Sequence, residues 1–350
     1  MLIKELTDLN GVSGNENEVR DFIINKISDL CDSIKVDSIG NIIAYKKGSN
    51  SKYKVMLSAH MDEVGFIVSG HNDKGFIKFK PVGGIDDRIL PGKRVLVGKN
   101  RFCGVIGSKP IHQQDKDERD KITKVKNLYI DIGAESKEEA EKLAPLGEFI
   151  SFDSEYVEFG KDCIKAKALD DRAGCAVLIE ALKHRFEFDL YACFTVQEEV
   201  GLRGAQVAAY YVMPDIAFVV EGTTCSDVPN VEPFEYTTIL GDGAALTIMD
   251  RRCYCDKQLV QFLFDVAVKN NIKVQYKKTT AGGNESGRIQ TTGTGVKIAS
   301  ISVPCRYIHS PVSVMSRNDF ESVERLTIAA LNEMSRDKDF LKNISYNVSK

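Results

Sequence analysis

Residues 53–66, YKVMLSAHMDEVGF, decide the fold. From Val55 to Ala59 the run is almost continuously apolar, and it ends on His60 and Asp62. A strand apolar at successive positions is covered on both faces, which puts it at the centre of a helix-flanked sheet. Just before it, GNIIAYKKG (40–48) reads as a second strand. Earlier still, Ser13 and Glu16 have capping-box spacing, and Val19, Phe22, Ile23, Ile27 and Leu30 then recur with helical spacing.

From about Ser69 the texture changes. Short β-rich runs (GFIKFKPV, KRVLVG, RFCGVIG) are separated by Gly and Pro, with one short helix near SKEEAEKLA. Such a stretch suggests a small β-barrel of about ninety residues. After about Asp162 the helix–strand alternation returns. DDRAGCAVLIEALKH, AQVAAYYV, DKQLVQFLFDVAVKNN and RNDFESVERLTIAALNEMSRD read as helices; DLYACFTVQE, DIAFVVE and GVKIASISVP read as strands. The expectation is an α/β protein: a mixed-sheet catalytic domain over residues 1–68 and 162–350, with residues 69–161 inserted as a small β-barrel domain.

Composition narrows the function. Forty-seven basic and fifty acidic residues among 350 give a net charge of −3, and the basic ones are dispersed, so no nucleic-acid face is expected. The mixed-charge run 113–126 reads as a solvated loop, or more sharply as a gate. No stretch reaches the ~18 apolar residues of a membrane span. The first residues lack the pattern of a signal peptide. Nine cysteines are scattered with no C-x-x-C pair, and Cys253 and Cys255 alone are weak evidence for metal. All are read as reduced, and the expected compartment is the cytoplasm.

Six metal-seeking side chains stand beside strong apolar runs: His60, Asp62, Asp170, Glu198, Glu199 and His309, with Glu221 a seventh. Each motif has a bland reading. His60 and Asp62 could be a surface turn, Asp170 and Asp171 a helix cap, Glu198 and Glu199 a solvated loop, and Glu221 and His309 structural residues. Five such motifs at five strand-to-loop junctions outweigh those separate readings, because strand ends in an α/β sheet converge. Two imidazoles with several carboxylates suit a pair of divalent ions. His60 and Asp62 share a strand face, so Asp62 is expected to orient the imidazole.

With these motifs in hand, the chain resembles the tetrahedral, dodecameric metallo-aminopeptidase family, which includes glutamyl and deblocking aminopeptidases and proteins labelled cellulase M. GVSGNENEVRDFI, DSIGNIIAYKKG, AHMDEVGF, GVIGSKP, IDIGAESKEEAEKL, ALDDRAG, QEEVGLRGA and RYIHSPV carry the resemblance along nearly the whole chain. It implies a fold of the two-metal exopeptidase type and two divalent ions per subunit, zinc or cobalt foremost with manganese also tolerated. It makes Asp170 the bridging ligand, with His60 and Glu221 on one ion and Glu199 and His309 on the other. Glu198 becomes the general base and Asp62 the residue that orients His60. It further implies peptide substrates with a free N-terminus, and dimers that build a tetrahedral dodecamer. Glu221 stands where many members carry Asp, GGNESG where GGTDAG is frequent, and Ser313 where a carboxylate is common.

The expected reaction is removal of N-terminal residues. Two ions roughly 3.5–4 Å apart share a water and lower its pKa, and Glu198 takes its proton and passes it to the leaving amine. A glycosidase using Glu198 and Glu199 is the first rival, but it needs neither two histidines nor a bridging Asp. An idle peptide-binding scaffold is the second. Basic residues near GNESGR offer a partner to acidic side chains, or Arg288 is simply a surface residue.

Overall fold

A computed structural model describes residues 1–344, whose strands form two separate sheets. The larger has eleven strands. At its middle are four parallel ones, in the order Asp189–Thr195, Lys54–His60, Ile216–Thr224 and Lys297–Arg306. Ile42–Lys46 pairs antiparallel with the first, and Ala244–Thr247 and Ser313–Ser316 antiparallel with the last, so the sheet is mixed.

The His60 strand is buried from Val55 to His60. Alternate residues face opposite sides, so helices must cover both. Leu169–Ala181 and Arg317–Arg336 pack on each other and on central strands, while Arg203–Val212 and Ser286–Gln290 form a second group. One continuous core runs from Ile3 to Ile344.

The second sheet closes into a six-strand barrel, ordered Gly65–His71, Ile77–Val82, Tyr129–Asp131, Phe102–Gly107, Arg94–Val97 and Phe149–Phe152. It has its own core, where Phe66 meets Phe79 and Phe152 edge-on. The first barrel strand starts at Gly65, only five residues past His60, and Val157–Phe159 already pairs back in the large sheet. No Gly or Pro breaker separates His60 from Gly65, so the change of sheet leaves little trace in the sequence.

Both crossings are tied together below the surface. Glu63, on the way out, takes the Lys167 ammonium at 2.6 and 2.9 Å, just after the chain rejoins the large sheet. Arg172 approaches the same carboxylate at 3.5 Å, and all three residues are buried.

The expected capping box is absent. The helix begins at Asn17 with Glu16 as N-cap, and neither residue's side chain caps it. Ser13 instead donates to Asp62 Oδ2 at 2.6 Å, and Glu16 Oε1 accepts the N–H groups of Gly14 and Gln197. Side chains that favour local turns are equally good partners for distant backbone. The run 113–126 is mostly exposed and contains one turn of helix, Lys116–Arg119. No helix among the described residues is long and apolar enough to cross a membrane.

Candidate metal centre

The parallel strands deliver the site. Thr195 pairs with His60, so Glu198 and Glu199 lie just beyond the same level. Val219 pairs with Ser58, which sets Glu221, two residues on, level with His60 too. His309 follows the strand Lys297–Arg306, and Asp170 opens the helix Leu169–Ala181.

Each imidazole is aimed by its inner nitrogen. His60 Nδ1 lies 3.0 Å from the Asp62 carbonyl oxygen, and His309 Nδ1 lies 2.9 Å from that of Gly84. A carbonyl can only accept, so both Nδ1 atoms carry the proton and Nε2 faces the site. His60 Nε2 is 3.3 Å from Asp170 Oδ1. His309 Nε2 is 3.3 Å from Glu199 Oε2 and 3.8 Å from Asp170 Oδ2. The two oxygens of Asp170 thus address the two imidazoles separately. Gly84 follows a barrel strand, so the barrel side fixes one of the rings.

Asp170 and Asp171 divide the work at their turn. Both have non-helical backbone, and the peptide between them is cis. Asp171 is the cap: its Oδ1 accepts from Gly174 N at 2.9 Å and its Oδ2 from His60 N at 3.1 Å. Gly174 admits this approach, since a Cβ there would lie 2.4 Å from Val220 O and 2.5 Å from the Asp171 carboxylate. The capping reading therefore holds for Asp171 and leaves Asp170 free to face the cavity.

The turn carrying Glu198 and Glu199 hangs from four successive N–H groups. Val196 N donates to Asn41 Oδ1 at 3.0 Å and Gln197 N to Glu16 Oε1 at 3.2 Å. Glu198 N and Glu199 N donate to the two oxygens of Asp62 at 2.9 and 3.1 Å. The Asp62 carboxylate lies farther, 3.6 Å, from His60 Nδ1. Asp62 touches the imidazole chiefly through its carbonyl, while its carboxylate holds the glutamate turn.

Burial and crowding set the charge. Desolvation pushes Glu198 well above the usual carboxylate range, with Glu199 and Asp62 adding repulsion against the pull of His60. Burial likewise lifts Glu199 to about 7 and Glu221 to about 8. Burial alone would lower His60, but the nearby carboxylates of Asp170, Asp62 and Glu198 carry it well above its ordinary value. Carboxylates crowded this far out of water favour a cation among them.

Among the described residues, two triads have ligand atoms within 4.8 Å of one another: His60, Glu198 and Glu199; and Asp170, Glu199 and His309. Glu221 lies outside both, though it lines the same cavity of about 620 Å³. Asn284 Nδ2 donates to its Oε1, and Ser302 Oγ lies 3.4 Å from the same atom. This donor set of imidazole and carboxylate, with both Nε2 atoms directed inward, fits divalent ions of the zinc, cobalt or manganese kind.

Several supporting residues escape a sequence reading. Glu16 reads as half of a helix cap and Asn41 only as part of a strand, and only the folded chain brings them to the glutamate turn. Glu285 is buried beneath the site, accepting from Ser58 Oγ at 2.7 Å and from the Thr195 hydroxyl. Its sole signal was its place in GGNESG.

Comparison with known proteins follows the same lines. The M42 glutamyl aminopeptidase profile matches residues 40–326, and an AMPT profile matches residues 1–22. The lysyl aminopeptidase of Pyrococcus furiosus is 32% identical over 342 residues, 95% of this chain and 96% of its own. Aminopeptidase APDkam598 from the archaeon Desulfurococcus kamchatkensis superposes with a TM-score of 0.94 at 37% identity, covering 100% of this chain and 98% of that one. The Pyrococcus horikoshii TET1 peptidase, which can assemble into a tetrahedron or a large octahedral shell, gives 0.85 at 35% identity, with 95% and 98% covered.

Proposed function

This chain belongs to the M42 aminopeptidase family, and from that premise we propose that it hydrolyses N-terminal residues from peptides at a two-metal centre. Asp170, His60 and Glu221 would hold one ion, and Asp170, Glu199 and His309 the other. Divalent ions bound there would supply a water of lowered pKa and polarise the scissile carbonyl.

The chain's own groups do the rest. Glu198, half-buried and with a raised pKa, holds the proton removed from water and delivers it to the leaving amine. Asp62 fixes Glu198 through its backbone N–H and fixes His60 through a carbonyl. The crowded carboxylates offer a charged partner to the free N-terminus of the peptide.

The observation that carries this reading is the aim of the two rings. Both Nδ1 atoms are tied to carbonyls while both Nε2 atoms turn towards Asp170. By the same family likeness, the protein assembles through dimers into a tetrahedral dodecamer, and its free, scattered cysteines suit the reducing cytoplasm.

The test is hydrolysis of aminoacyl-p-nitroanilides by chelated protein before and after addition of Zn²⁺, Co²⁺ or Mn²⁺. Activity restored by metal, and absent with N-acetylated substrates, is expected. Silence from folded, metal-loaded protein on every substrate rejects the reading.

A further inference from the structure

Glu221 is the ligand whose direction the cluster itself does not fix. Among the described residues it lies outside both triads, and its side chain is one methylene longer than the Asp that many family members carry there. The longer chain has one more rotatable bond to immobilise before its carboxylate can ligate.

One of its oxygens is already taken. Asn284 Nδ2 donates to Glu221 Oε1, and Ser302 Oγ lies 3.4 Å from the same atom. The amide cannot be turned round. Ser286 N, which can only donate, meets Asn284 Oδ1 at 2.8 Å, and the Ser286 hydroxyl donates to the same oxygen. With the oxygen end spent, the NH2 end has to face Glu221 and, at 3.4 Å, Ser300 Oγ.

The segment that carries Asn284 is itself anchored. Its neighbour Glu285 accepts from Ser58 Oγ at 2.7 Å and from the Thr195 hydroxyl, which belong to two other central strands. Asn284, Glu285 and Ser286 are all buried. Ser302 pairs with Glu221 in register, and Ser300 stands two residues before it on the same strand face. A buried asparagine is ordinarily a satisfied polar group of the core. This one spends its donor on a carboxylate that lines the cavity, and Glu221 and Asn284 both stand where the chain departs from its family's common wording.

Resting on the two-metal reading, we propose that Asn284 is a positioning residue. It holds Oε1 of Glu221 and leaves Oε2 as the single oxygen offered to the ion that His60 and Asp170 would also hold. Asn284 bonds a ligand of one ion, so its loss falls on one site of the two.

Titration of chelated protein with Zn²⁺ by calorimetry, and with Co²⁺ by its visible absorption, tests this without turnover. Asn284→Ala should weaken one of two equivalents about 10- to 100-fold, change the Co²⁺ spectrum of that equivalent, and leave the other as in wild type. In a Glu221→Ala background the same substitution should leave the remaining affinities where they are, since Asn284 then has no carboxylate to hold. Two unweakened equivalents in Asn284→Ala, equal weakening of both, or a full further loss in the Glu221→Ala background overturns the proposal. Should Asn284→Ala not fold, a crystal structure of the wild-type protein grown with Zn²⁺ decides it. Oε2 alone on the ion, with Oε1 on Asn284, is expected; Oε1 on the ion rejects it. Wild-type protein that takes up fewer than two ions overturns both this proposal and the two-metal reading. Failure of the metal-loaded wild type to cleave any aminoacyl-p-nitroanilide counts against the aminopeptidase reading alone, because every readout for Asn284 is metal binding.

Discussion

At the scale of single residues, the site separates holding from reacting. Glu198 is half-buried next to His60 yet sits on a turn fixed by its own N–H, so its side chain can change without moving the turn. Glu198→Gln is therefore expected to keep bound metal while losing most turnover, on the order of the 10²- to 10⁴-fold that general acid–base catalysis contributes. Metal analysis beside kcat checks it, and an unchanged kcat in the loaded variant rules out Glu198 as the base. Asp62 is the converse case. Asp62→Ala strips the acceptor from Glu198 N, Glu199 N and the Ser13 hydroxyl. Leaving buried donors unpaired should cost about 1–3 kcal/mol in urea unfolding, and metal affinity should fall about 10- to 100-fold. Wild-type affinity by metal titration would show that the turn does not need its anchor.

At the scale of elements, close packing sets the glutamate turn. The helix Arg203–Val212 starts hard against the strand Asp189–Thr195 and its extension. A Cβ on Gly204 would lie 2.4 Å from Asn41 Oδ1 and 2.4 Å from Val196 O. On helix propensity alone Gly204→Ala should stabilise by up to about 1 kcal/mol. Here overpacking wins, and a loss of about 1–3 kcal/mol is expected, with kcat falling as the 196–199 turn shifts. A raised urea midpoint would mean that the contact relaxes at little cost. The long helices and apolar strands were legible in the sequence because periodicity over ten or more residues reports burial directly. The Ser13–Glu16 capping box was not, because a four-residue pattern cannot tell a local partner from Asp62 or Gln197 arriving across the fold.

At the scale of the molecule, two cores meet at a buried charge cluster. Glu63 and Lys167 clamp the outgoing and returning chain, with Arg172 beside them. Lys167→Met leaves the carboxylate with the weaker Arg172 contact, and breaking a buried pair on one side costs about 3–5 kcal/mol. Chemical denaturation measures it; a loss below about 1 kcal/mol would show that Arg172 suffices. Metal should stabilise the whole fold too. At a free concentration of a hundred times Kd the gain is about 2.7 kcal/mol, so chelation should lower Tm and add-back restore it. A Tm indifferent to chelator would mean that no ion is held in the native state.

The sequence by itself determined the α/β class, the barrel inserted into it, and the clustering of His60, Asp170, Glu198, Glu199, Glu221 and His309 near strand ends. Apolar runs, their period and the residues that follow them are local properties, and a parallel sheet turns them into convergence. Tertiary structure alone decided which neighbour does what. It made Asp171 the cap and Asp170 the group facing both rings, turned the Asp62 carboxylate towards Glu198 and Glu199, and set Asn284 on Glu221. Adjacent carboxylates are chemically alike, and only the donors that reach each one, from strands and turns far away in sequence, give them different tasks.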